Sequence, residues 1–254
     1  MLAAIKMKHS LIPLLFFFSN VTAQNVMIRE IRLKPKSEFF KTSEKTIIYP
    51  IISTNNSRID NIINKQIKEG SLNLETEKQS AINALNDQIV NGLINLSYEV
   101  TYKKNGILSL NIYMEGCVAH CSSWTTYFNF DIKTGKLLGL SDLMIDNKID
   151  SFKNIVFSDK IKALKEYKIE EVNNLKNNHI DSTSYNWILD EVDNGCMKDI
   201  NIEDFSISSL GIKIFDLCEF PFAIRSQEPS YELKYSFKFI YPYLRQKFKT
   251  VFQK

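Results

Sequence analysis

Histidine is scarce in this sequence: three in 254 residues. His9 lies in a segment that reads as a removable leader, so His120 and His179 are all that remain for catalysis or metal binding. Long basic runs are missing as well, and without one nothing tracks a phosphate backbone, which excludes nucleic acid as a partner. No stretch after the N-terminal region approaches the roughly 18 consecutive apolar residues that a spanning helix needs. That excludes a transmembrane span in the mature chain. Internal repeats, low-complexity tracts and long linkers are absent too. What is present is a chain 44% hydrophobic and 12% aromatic. That is too apolar for disorder and long enough to bury a core.

The N-terminus reads as a signal peptide over residues 1–23. Lys6 and Lys8 supply its charged region, Leu11 to Phe18 its apolar run, and Val21-Thr22-Ala23 a small-residue cleavage site. Removing it lowers the formal charge from +3 to about +1, with 30 basic and 29 acidic residues left. The expected location is periplasmic or secreted.

Export sets the reading of the four cysteines. Cys117, Cys121, Cys196 and Cys218 are even in number and would meet an oxidising compartment. Four cysteines allow about three connectivities. Pairing Cys117 with Cys121 and Cys196 with Cys218 is favoured, because each pair brackets one local structure. Zinc is the alternative, since C-x3-C with His120 between them offers ligand atoms. The usual CxxC spacing is missing and His179 is the sole other histidine, so no metal or other cofactor is expected.

Periodicity gives an α+β chain, with antiparallel sheets packed against helices in two small intertwined subdomains. Residues 26–33 alternate as a half-buried strand. Residues 45–52 form a second, with Pro50 placing it at an edge or a bulge. Ile59, Ile62, Ile63 and Ile67 mark a helix that Gly70 ends. A further helix follows over 75–93, with Ile82, Leu85, Ile89, Val90 and Leu93 on its packing face. Two strands then meet at Asn105-Gly106, a hairpin signal. In the second, Leu108, Leu110, Ile112 and Met114 give a dry face, and Ser109, Asn111 and Tyr113 a polar one. A loop over 117–123 leads to a strand from Trp124 to Ile132 and a turn at Gly135. A helix from Asp146 buries Ile149, Phe152, Ile155, Val156, Ile161 and Leu164, with 165–178 an exposed continuation or a linker. A shorter helix over 183–192 turns Tyr185, Ile188, Leu189 and Val192 inward and ends at Gly195. A hairpin spans 199–218, and 231–239 alternates as a long strand. A short helix opens at Tyr241.

The segment from Gly116 to Leu143 resembles the outer domain of the RsiV-type anti-sigma factors. That signature is a Gly-Gly-Ala-His loop, a strand ending Asn-Phe-Asp, then Thr-Gly-Lys and Leu-x-Asp-Leu. It stands here as Gly116-Cys117-Val118-Ala119-His120, Asn129-Phe130-Asp131, Thr134-Gly135-Lys136 and Leu140-Ser141-Asp142-Leu143. Val118 replaces a loop glycine, and Cys117 and Cys121 flank the histidine, as in a variant whose loop a disulfide stiffens. Tyr231 to Leu244 is similar to the end of the same domain. Tyr49 to Ile52, with the helix after it, is similar to a companion domain also found in PdaC-type peptidoglycan deacetylases. The resemblance divides the mature chain into residues 24–115 and 116–254. It implies a non-enzymatic, envelope-facing module that binds a lysozyme-like protein or a cell-wall ligand such as a peptidoglycan fragment. It does not imply deacetylation, since two histidines cannot supply that metal site.

Three residues stand out for ligand binding. His120 offers a polar contact at the loop, although it reads equally as a group that hydrogen-bonds the backbone there. Trp124 offers a stacking surface, as does Trp187, although either would also fill a core. Arg225 offers a cation for an anionic ligand, or pairs with Glu228 at the surface. No residue is assigned a catalytic role. A hydrolase of envelope polysaccharide or peptidoglycan is the alternative, and it needs two carboxylates across a cleft. Asp131 and Asp142 are its candidates, each explained as well by a turn and a helix cap.

Overall fold

The computed structural model describes residues 26–35, 45–72, 79–178, 182–216 and 218–252. The leader and its cleavage site, His179 and the side chain of Tyr185 lie outside the described residues. The chain opens with strands β1 (Met27–Leu33) and β2 (Ile47–Ser53), then helices α1 (Ser57–Leu72) and α2 (Ala81–Val90). Strands β3 (Leu93–Lys104), β4 (Ile107–Cys117), β5 (Cys121–Asp131) and β6 (Lys136–Leu137) follow. Together β1 to β6 make a six-stranded sheet in sequence order. Next come α3 (Leu140–Leu143), the long α4 (Asp146–Asn178) and α5 (Ser182–Glu191), which ends in a π turn. Strands β7 (Phe205–Ile207), β8 (Gly211–Ile214) and β9 (Leu233–Ser236) form a second, three-stranded antiparallel sheet. Helices α6 (Phe237–Ile240) and α7 (Gln246–Phe252) end the described chain.

The β3–β4 hairpin forms where Asn105 and Gly106 both take positive φ, 53° and 83°. This is the turn whose twist matches that of the strands it joins. One face of β4 is fully dry: Leu108, Leu110, Ile112 and Met114 pack with α1 and α2 in a first core. A second core gathers Tyr102 and Ile107 from the far end of the same sheet with α4, the small sheet and α7. Residues 115 and 116, between which the boundary is expected, both lie in β4, which pairs with β3 through two register shifts and with β5 on its other side. The two cores therefore share one sheet.

Several local expectations are corrected, each for a physical reason. Pro50 lies in a strand that is interior in order. However, β2 meets β3 only at Ile47↔Leu96, so the strand is open on that flank beside the proline. Gly70 does not end α1. It sits under Phe128, where an added Cβ would stand 2.9 Å from the ring, so it is glycine for close packing. On α2 the buried face is Ala84, Leu85 and Ile89, while Ile82 and Val90 are exposed. For residues 165–178 the expectation holds in its first form, since they continue α4 as helix and are not a linker. The strand expected over 231–239 stops at Ser236, whose side chain accepts from the Phe239 N–H at 3.2 Å and caps α6. Aromatic alternation fits either structure, and the capping serine decides it.

The polar face of β4 is only partly solvated. Ser109 is fully buried, accepting from the Ile207 N–H at 3.0 Å and from the Thr101 hydroxyl at 2.8 Å. Beside it, the buried Asn129 Nδ2 donates to the Phe205 carbonyl at 2.8 Å. These two side chains satisfy the backbone of β7 where the small sheet crosses the large one. Replacing Ser109 with alanine leaves a buried N–H unpaired, which costs roughly 1–3 kcal/mol. Urea denaturation is expected to show Ser109→Ala destabilised by that amount. A change below about 0.5 kcal/mol, the range of ordinary surface substitutions, would mean that the seam does not rest on this bond.

Candidate functional site

Strands β4 and β5 end in a three-residue loop, Val118 to His120, closed by a disulfide between the register partners Cys117 and Cys121. The segment expected as a loop over 117–123 is thus mostly strand. Both sulfur atoms of the C-x3-C pair are consumed in bonding each other. A second disulfide joins Cys196, in the π turn, to Cys218. It is packed in a third apolar cluster with Leu164, Val192, Phe220 and Ile224.

Trp124, Thr126, Phe128 and Phe130 share the core face of β5, but their burial changes along the strand. Phe128 and Phe130 lie beneath the helices, whereas Trp124 is 42% exposed. The helical layer ends before reaching it. Its ring instead rests over Gly116, where an added Cβ would stand 3.2 Å away. Trp124 thereby lines a cleft of about 620 Å³ between the start of β5 and the segment from Asp216 to Tyr231. Arg225 lines the same cleft, as do Cys121 and Cys218, one cysteine from each disulfide. Residues a hundred positions apart are brought together there. His120 is exposed and lines a smaller cleft of about 320 Å³ with Gln88 and Asn91, which adjoins the first at Ser122 and Trp124. Trp187 is exposed on α5 and lines neither.

The far wall is held by a buried ion pair that the apolar pattern hides. Lys160 on α4 is 2% exposed and is paired with Asp216. Its ammonium also donates to the Asp199 carbonyl at 2.8 Å. The other Asp216 oxygen accepts from the Asn201 N–H at 2.8 Å. The Tyr231 hydroxyl donates to the Asp216 carbonyl at 2.7 Å. Burial, and then the neighbouring Asp216 charge, pushes the Tyr231 phenol well above its usual range, so it stays a neutral donor. Glu228 accepts from the Phe220 N–H at 3.0 Å, with Arg225 Nε 3.6 Å from the same oxygen. The Tyr167 hydroxyl donates to the Gln227 carbonyl, tying α4 to the turn that carries Arg225. The charge of Lys160 hides it among the apolar positions, although it stands four residues from both Val156 and Leu164 on the buried face.

The other two carboxylates considered for chemistry have structural partners. Asp131 Oδ1 accepts from the Lys133 N–H at 2.9 Å in the turn before β6. Asp142 accepts from the Gly139 N–H at 3.2 Å and from Lys136 at 2.5 Å, capping α3. Burial works to raise the Asp142 pKa, but the Lys136 and Gly139 hydrogen bonds outweigh it and hold it below the usual range.

These features define a class: an α+β domain with an open cleft braced by two disulfides and bearing a half-exposed tryptophan. Two crystal structures of DUF3298 family proteins share the fold. One, from Bacteroides fragilis, is 10% identical, with 90% of this chain and 97% of that chain covered and a TM-score of 0.57. The other, from Pseudomonas aeruginosa, is 13% identical, with 88% and 95% covered and a TM-score of 0.51. At such identities the likeness establishes the fold and no activity. No protein-family model matches the sequence, and no curated protein does.

Two stability predictions follow from the wall. Loop-closure entropy makes the Cys196–Cys218 bond, with a sequence separation of 22, worth about 3 kcal/mol, and the Cys117–Cys121 bond, with a separation of 4, about 2 kcal/mol. Paired serine substitutions are expected to rank in that order by chemical denaturation, and the reverse ranking would point to native-state packing instead. Lys160→Met strands a buried carboxylate and is expected to cost about 3–5 kcal/mol. Lys160→Met combined with Asp216→Asn is expected to recover part of that loss. No recovery would show that the two residues act independently.

Proposed function

We propose that this chain is an exported, non-enzymatic binding module of the cell envelope, periplasmic or secreted. Its ligand is a lysozyme-like protein or a cell-wall fragment that seats in the cleft between Trp124 and Arg225. The observation that carries this reading is the cleft itself. A half-exposed indole and a guanidinium face one space between two disulfide-braced walls. Aromatic anchors and arginine are the side chains that most often dominate binding surfaces. Stiff walls reduce the ordering cost that association must overcome.

The remaining support is compositional and comparative. Two disulfides suit an oxidising compartment. Among the described residues no helix is long and apolar enough to cross a membrane. The fold is shared with DUF3298 proteins, and the sensing role that the RsiV-type resemblance of Gly116 to Leu143 implies is a binding role. Two of the cleft's three carboxylates, Asp216 and Glu228, are engaged by Lys160 and by the Phe220 N–H, which suits scaffolding better than acid–base work.

Immobilised mature protein is expected to retain a lysozyme or a peptidoglycan fragment saturably and to release it chemically unchanged. Trp124→Ala and Arg225→Ala are each expected to weaken that binding at least tenfold, about 1.4 kcal/mol, with the melting temperature unchanged. Glycan or peptide products accumulating with time would overturn the reading in favour of a hydrolase. Binding that ignores both substitutions would move the site elsewhere.

A further inference from the structure

The cleft wall formed by β5 is an open sheet edge. Strand β6 covers β5 only at Phe130 and Asp131, and the Leu138 N–H reaches the Asn129 carbonyl. From Cys121 to Tyr127 the inner side of β5 pairs with β4. Its outward N–H and C=O groups have no backbone partner among the described residues. Proteins ordinarily protect such an edge with lysine, proline or a short strand, because it templates pairing with another chain. Here the edge reads Cys-Ser-Ser-Trp-Thr-Thr-Tyr-Phe from Cys121 to Phe128. It has no charge and no proline, and its β-branched and aromatic residues favour the extended state. A disulfide pins its first residue, so it does not fray.

The opposite wall is acidic. Asp216, Glu219 and Glu228 line the cleft with Arg225; buried Lys160 pairs with Asp216 and Arg225 lies beside Glu228, so Glu219 gives this wall its net negative charge. An adjoining cleft of about 460 Å³, which meets the first at Ser230 and Tyr231, adds four carboxylates against two lysines. We infer that this edge captures an extended, basic peptide segment of a partner protein by strand addition to β5. Its backbone pairs with Cys121 to Tyr127, one side chain stacks on Trp124, and its basic side chains face the Glu219–Glu228 wall. Main-chain pairing supplies affinity in this mode and the flanking pockets supply selectivity. A second copy of this chain is a poorer occupant, since symmetric pairing of the two edges would set acidic rim against acidic rim. The inference rests on the reading of this cleft as a binding site and adds the class of ligand and the geometry of capture.

The test uses the mature protein and four probes: a blocked octapeptide alternating lysine and threonine, the same peptide N-methylated at alternate residues, its glutamate counterpart, and a neutral chito-oligosaccharide. Binding is read by Trp124 fluorescence, with Trp124→Phe as the background, and by amide hydrogen exchange. The lysine peptide is expected to bind and to slow exchange at alternate amides between Cys121 and Tyr127. N-methylation is expected to weaken it at least tenfold, and the glutamate peptide is expected not to bind. Equal binding of the methylated peptide, or of the acidic one, would overturn strand capture. Chito-oligosaccharide binding without peptide binding would overturn it while leaving the cleft a binding site. No response to any probe would count against both readings. A concentration-dependent dimer that protects the same amides would assign the edge to self-association instead.

Discussion

The ammonium of Lys160 is the constraint on which the cleft depends. A lysine buried to this degree is held only if its charge is matched and its protons are accepted. Asp216 supplies the charge and the Asp199 carbonyl one acceptor. Those two partners flank the β7–β8 hairpin in sequence, so a single side chain on α4 fixes both ends of the small sheet's first two strands. Asp216 in turn holds the Asn201 N–H through its side chain and the Tyr231 hydroxyl through its backbone. The segment returning from β8 toward β9 is therefore located by one buried charge, and that segment is the far wall of the cleft.

The near wall is set by a different economy of space. Strand β4 belongs to both cores, its dry face turned to α1 and α2 and its buried Ser109 turned to the small sheet. A sheet covered on both faces along part of its length must emerge somewhere, and it emerges at the β4–β5 tip. Burial along β5 falls from Phe130 through Phe128 and Thr126 to Trp124 as the helical cover runs out. The exposed indole is thus the end of a core stripe rather than an isolated surface residue. Trp124 meets solvent because Gly116 makes room for the ring and, among the described residues, no helix continues over it.

Much of this was legible in the sequence where the signal is local. Asn105-Gly106 and Gly135 specify their turns through backbone conformations that few other residues adopt. The dry face of β4 is plain from its alternation. What was not legible depends on tertiary neighbours. Gly70 reads as a helix stop until Phe128 is placed against it, and the aromatic run after Tyr231 reads as strand until Ser236 caps a helix. Lys160 had the right spacing for the core and the wrong chemistry, so periodicity weighed by hydrophobicity discarded it. Ser109 reads as part of a polar face because nothing local announces that a second sheet crosses there. Trp124 and Arg225 each stand out singly in the sequence, but only the packing of α4 against the β7–β9 sheet places them on one cleft.

The same packing explains why His120 is better regarded as part of the tip than as a centre of chemistry. It is exposed in a three-residue loop that the Cys117–Cys121 bond closes, and the small cleft it lines is separated from the larger one only by Ser122 and Trp124. A disulfide across so short a loop restricts the unfolded chain modestly. Its larger effect is local, since it fixes the strand pair up to its last register position. Trp124 then stands a few residues from a pinned end, on a strand whose inner side is fully bonded to β4. A ligand meeting that strand finds the backbone already extended and one aromatic face already placed. Little conformational freedom is left to lose there, which is the condition under which an open cleft can hold a partner.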